Sequence, residues 1–140
     1  MNSILEQQSF ELRPLSPALG AELIGIDLSN PLNDKLFTAI YQAFLDYQVL
    51  LFRNQDIPPA RQVAFARYFG EVQVHVMNQY HADGHPELYF LSNLNENGEP
   101  NGRHPDRGTL LWHTDGSWRP RTGQAKPLPA APVSRRRPAR

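Results

Sequence analysis

Residues 30–53, NPLNDKLFTAIYQAFLDYQVLLFR, change their hydrophobic period once, near Gln48. Before that point Leu36, Phe37, Ile40, Tyr41, Phe44 and Tyr47 recur at steps of three and four, which predicts an amphipathic helix. Asn33 or Asp34 can accept from the orphan N–H groups at its start. After that point VLLFR (49–53) is a short continuous apolar run, which suits a buried strand. A helix running straight into a buried strand points to a mixed α/β chain.

The flanks extend the pattern. SFELRPLSPALGAELIGIDLSN (9–30) reads as two short strands around a turn punctuated by Pro17 and Gly20, the second carrying Leu23, Ile24, Ile26 and Leu28. NQDIPPARQVAFARYFGE (54–71) predicts a second helix, with prolines in its first turn, Phe65, Tyr68 and Phe69 on one face, and Gly70 to stop it. VQVHV (72–76), ELYFLSN (87–93) and TLLWHTD (109–115) read as strands, and NENGEPNGRHPDRG (95–108) as turns. Phe37, Ile40, Phe44, Leu51, Phe65 and Phe69 are the expected core.

Composition narrows the chemistry. The 140 residues suffice for one domain with a core, and the absence of cysteine excludes disulfides and thiolate metal sites. Any metal is therefore held by nitrogen and oxygen. The N-terminus has neither a basic start nor a long apolar stretch, and no run approaches the roughly 20 apolar residues of a bilayer span. A cytoplasmic protein with no membrane partner is the expectation. The net charge of zero conceals an asymmetry: residues 1–115 hold all 14 acids, whereas residues 116–140 hold 7 of the 14 basic residues and no acid.

Among five histidines, His113 stands two residues before Asp115. On a strand, side chains i and i+2 share a face, so this imidazole and carboxylate could converge on one ion. Such a pair is two thirds of the 2-His-1-carboxylate triad that holds non-haem Fe(II) and leaves positions open for oxygen chemistry. An H-x-D triplet arises by chance in roughly one chain of this length in five or six, so spacing alone does not assign it. His81 and His85 have a zinc-like spacing, but Asp83, Gly84 and Pro86 between and beside them read as a solvated turn. His104 falls in the turn-rich loop, and His75 reads either as a core-edge histidine or as a substrate contact.

Four motifs in order, LGAELIGIDLS, QAFLDYQVLLFRNQ, AFARYFGEVQVH and LLWHTDGSW, make the chain resemble the N-terminal part of the TauD/TfdA family of Fe(II)- and 2-oxoglutarate-dependent dioxygenases, from about Phe10 to Pro120. The resemblance implies a double-stranded β-helix, or jelly roll, with the N-terminal helices packed on one side. It implies that His113 and Asp115 are iron ligands, that 2-oxoglutarate and O₂ are co-substrates, and that the substrate is a small organic acid such as a sulfonate or an aryloxy carboxylate. His75, in the FG-x-x-x-x-H segment, maps beside the substrate pocket. The family's second iron-binding histidine lies far downstream with an arginine for 2-oxoglutarate after it, and here no histidine follows His113. The arginines of RRRPAR therefore do not inherit that role.

These departures lead to the expectation of an incomplete jelly roll over residues 1–120 and a disordered Arg/Pro-rich tail over 121–140. The tail's composition suits a GC-rich gene read out of frame, so a frameshift near Arg121 and a truncated, inactive dioxygenase are expected. The rival is a non-catalytic fragment or interaction protein with a basic tail. Clustered arginines permit phosphate contacts, but no aromatic residue interleaves them, which argues against a nucleic-acid partner.

Overall fold

The computed structural model describes residues 10–76, 78–89, 97, 99, 112, 113, 115, 116, 119, 120 and 123–128. Within them the fold is mixed α/β, with two helices and two small sheets. The first sheet has the order β1 (Glu11–Pro14), β2 (Ala21–Ile24), β3 (Leu50–Leu51). β1 and β2 form an antiparallel hairpin in which Glu11 faces Ile24 and Pro14 faces Ala21. Its loop is tied by the Ser16 hydroxyl, which accepts from Leu19 N at 3.1 Å and donates to Leu19 O at 2.6 Å. Pro14, which lacks an N–H, is tolerated because β1 is an edge strand.

β2 and β3 are parallel, with Ala21 opposite Leu50, and a parallel pair requires a crossover. Helix α1 (Asp34–Tyr47) is that crossover. Asn33, not Asp34, caps it, its side chain accepting from Leu36 N at 2.8 Å. Gln48 ends it at φ 60°, and the Tyr47 carbonyl then accepts from Gly20 N at 2.8 Å, so helix and sheet are joined at the turn where β2 begins.

Ile40 and Ala43 of α1 pack against Ala21 and Leu23 of β2 in a core that also holds Phe10, Ile26, Leu28, Leu32 and Phe65. Helix α2 (Pro59–Arg67) closes this core through Phe65. Phe69, just beyond α2, lies 5.4 Å from both Phe37 and Phe65 and 5.9 Å from Phe44, mostly edge to face. The expected core is present in part: Ile40 and Phe65 are buried in it and Phe37 and Phe69 pack against it partly buried, whereas Phe44 and Leu51 are only half-buried and not among its members.

Two expected strands differ. The apolar run 23–28 is not one strand: Gly25 at φ +91° breaks it after Ile24. Ile26 and Leu28 stay buried all the same, because the Gln55 amide replaces a ladder by donating to Ile26 O at 2.9 Å and accepting from Leu28 N at 2.8 Å. VQVHV adopts no regular structure, and Val74 and Val76 are exposed. Alternation makes a strand only where one face is covered and a neighbour completes the ladder, and neither condition holds there among the described residues.

The second sheet is a hairpin of β4 (His81–Ala82) and β5 (His85–Tyr89), turning at Asp83–Gly84 with Gly84 at φ +71°. A 3₁₀ turn, Asn78–Tyr80, leads into it, and an Arg67–Glu87 ion pair of 3.0 Å links β5 to α2. The remainder of the run 87–93, most of 95–108 and residues 129–140 lie outside the described residues, as do His104 and much of 109–115. No described helix is long and apolar enough to cross a membrane.

Candidate metal centre

His113 and Asp115 meet, but not through strand parity. The described residues of 109–115 carry no strand: His113 is irregular and Asp115 opens a turn in which Gly116 has φ +66°. That turn, held by Arg119 N donating to Gly116 O at 3.0 Å, brings His113 Nε2 to 3.5 Å from Asp115 Oδ1. Two donors bound to one ion at about 2.1 Å each stand roughly 3 to 4.2 Å apart. The observed separation therefore admits a single ion between them. Both side chains are open to solvent, at 45% and 61% exposure, whereas the neighbouring Trp112 is fully exposed.

The carboxylate is held in its anionic form. Lys126 Nζ donates to Asp115 Oδ2 at 2.6 Å, and this hydrogen bond, followed by the ammonium's charge, keeps the Asp115 carboxyl below the usual carboxylate range against the opposing effect of burial. The charges of His113 and His75 act in the same direction. The His75 ring lies 4.5 Å from that of Tyr89, which meets Tyr80 edge-on at 5.4 Å. The His75 carbonyl is 2.8 Å from His81 Nε2, and Arg119 Nη1 donates to Gln73 Oε1, so the 71–76 segment and the HTD turn are tied together.

Among the described residues no three His, Asp or Glu side chains form a group that could hold a metal ion. The donor chemistry and separation of His113 and Asp115 suit one ion, but they make two donors and not a triad. His81 and His85, with the zinc-like spacing, flank the Asp83–Gly84 hairpin turn.

Residues 11–126 match the family described as Taurine catabolism dioxygenase TauD, TfdA family. The chain belongs to the TauD/TfdA family. TauD/TfdA members are Fe(II)/α-ketoglutarate (2-oxoglutarate)-dependent dioxygenases that use small-molecule substrates and O₂. Among its relatives, pentalenolactone F synthase of Streptomyces avermitilis is 35% identical over 109 residues, 76% of this chain and 35% of that protein. The (S)-phenoxypropionate/alpha-ketoglutarate-dioxygenase of Delftia acidovorans is 25% identical over 123 residues, 81% of this chain and 39% of that one. A crystal structure of a taurine dioxygenase from Burkholderia xenovorans superposes with a TM-score of 0.54 at 40% identity, covering 58% of this chain and 29% of that one. The chain thus spans between a third and two fifths of the length of these curated relatives.

Lys126 escaped the sequence reading of this TauD/TfdA chain. It lies eleven residues after Asp115 in a segment without hydrophobic period, and no spacing rule joins an ammonium to a carboxylate across such a stretch. Gln124, whose amide donates to the Tyr41 hydroxyl on α1, was missed for the same reason.

Proposed function

We propose that this chain is the His113/Asp115-bearing part of an Fe(II)- and 2-oxoglutarate-dependent dioxygenase that hydroxylates a small organic acid, such as a sulfonate or an aryloxy carboxylate. The 3.5 Å approach of His113 Nε2 to Asp115 Oδ1, within the W-H-T-D motif of a TauD/TfdA chain, carries the reading. The described helices and small sheets are then the N-terminal flank of a jelly roll. Iron with 2-oxoglutarate supplies the means of activating O₂. The protein's part is to bind and orient. His113 offers Nε2, Asp115 offers Oδ1, and the Gly116 turn holds the two within 3.5 Å of each other. His75 is the substrate contact in this reading: its ring packs against Tyr89 at 4.5 Å, and its segment is tied to the HTD turn by the Arg119–Gln73 hydrogen bond, which sets an imidazole and an aromatic ring beside each other. The Delftia acidovorans relative, a phenoxypropionate dioxygenase, supports an acid with an aromatic group as the substrate class.

The test is succinate formation from 2-oxoglutarate by the purified chain with Fe(II), against a panel of sulfonates and aryloxy acids. Substrate-dependent turnover that disappears in His113→Ala is the expected result for a competent site. A second reading, a non-catalytic metal-binding or interaction chain, is favoured by the lack of a third ligand among the described residues. Metal binding without turnover of any panel member would select it.

A further inference from the structure

Each oxygen of the Asp115 carboxylate has a different neighbour. Oδ1 looks toward His113 Nε2 at 3.5 Å, and Oδ2 accepts from Lys126 Nζ at 2.6 Å. The Asp115–Lys126 pair carries no net charge. A divalent cation approaching His113 thus meets a carboxylate already neutralised. We propose that Lys126 is an internal competitor for the metal ligand Asp115, holding Oδ2 until a divalent cation takes the carboxylate and then swinging away. The inference rests on the assignment of His113 and Asp115 as ligands.

Three features support it. Among the described residues the ammonium has one hydrogen-bond partner, the Asp115 carboxylate, and its side chain is 60% exposed, so solvent can replace that partner on release. Ion pairs at such exposure are weak, and a divalent ion displaces them readily. The segment has a contact of its own besides Asp115: Gln124, two residues earlier, donates to the Tyr41 hydroxyl on α1. Giving up the ammonium–carboxylate attraction at this separation, in solvent-like dielectric, costs the incoming cation on the order of tenfold in affinity.

The experiment titrates Mn(II) into the full 140-residue chain and three variants by calorimetry, and adds a chemical readout. Lys126→Met is expected to bind Mn(II) about tenfold more tightly than wild type, Lys126→Arg to stay near wild type, and His113→Ala to lose binding. Lys126 and Lys35 are the only lysines, so Lys35, exposed on α1, is an internal standard for acylation by acetic anhydride. Mn(II) should raise the labelling of Lys126 relative to Lys35, read by peptide mass spectrometry. If Lys126→Met binds no more tightly than wild type while His113→Ala still loses binding, or if the labelling ratio stays constant as Mn(II) saturates, the competition is disproved and the ligand pair stands. If His113→Ala binds as wild type does, or no form binds Mn(II), the ligand assignment fails and Lys126 has nothing to compete for.

Discussion

Glu22 is the described buried charge, and it shows how one residue sets a local electrostatic balance. It sits in the middle of β2, 3% exposed, with Arg13 from β1 bonded to Oε2 and Arg53, beyond β3, donating to Oε1 at 2.7 Å. The Arg13 hydrogen bond, opposed by burial and reinforced by Arg53, holds its carboxyl below the ordinary range. A carboxylate depressed on folding contributes stability that is complete above its unfolded pKa of about 4.3 and is lost as pH falls through the lower folded value. Glu22→Gln should therefore lower the urea midpoint at pH 7, and the gap to wild type should close in melts taken below about pH 4. A gap constant from pH 7 to pH 3 would show that packing, not charge, is what Glu22 supplies. Removing one partner also leaves two guanidinium groups beside an uncharged amide, which is why the effect at pH 7 should be marked.

At the scale of elements, the β2–α1–β3 unit carries the fold, and Ile40 is its pivot. Its side chain is fully buried between the helix and Ala21 and Leu23, so Ile40→Ala removes buried methylenes and leaves a cavity where the sheet cannot follow. A loss of about 2–5 kcal/mol in chemical denaturation is expected. Gly25 tests a different element boundary. At φ +91° it turns the chain out of β2, and a Cβ there meets no atom within 4 Å, so Gly25→Ala is a measurement of backbone strain alone. The expected cost is about 1–2 kcal/mol; a neutral or stabilising result would mean the run 23–28 readily extends as one strand. Hydrophobic alternation missed this turn because Ile26 and Leu28 are buried either way, and burial alone does not reveal which backbone hydrogen bonds accompany it.

Over the whole molecule, the pair His113/Asp115 links the α/β core to chemistry, and ligand linkage offers a global readout. If the native chain binds Mn(II) and the unfolded chain does not, an excess of 100 times the dissociation constant stabilises it by about 2.7 kcal/mol. The thermal midpoint should therefore rise with Mn(II) in wild type and stay flat in His113→Ala; parallel rises in both would place the ion elsewhere. The sequence by itself determined the two helices, the hairpin at their start, the Asp83–Gly84 turn and part of the core, Ile40 and Phe65 with Phe37 and Phe69 against them. Those features follow from short-range periods, caps and turn residues such as Asn33, Ile40 and Gly84, and local physics is enough for them. Its four ordered motifs also pointed to the TauD/TfdA family, which the match over residues 11–126 shows. Only the tertiary structure decided that VQVHV is not a strand, that the HTD pair is presented by a turn at Gly116, and that Lys126 occupies Asp115. Each depends on what lies beside a segment in space: no ladder partner for 72–76 among the described residues, a left-handed glycine in a turn, and a lysine eleven residues on that returns to Asp115 while Gln124 meets Tyr41.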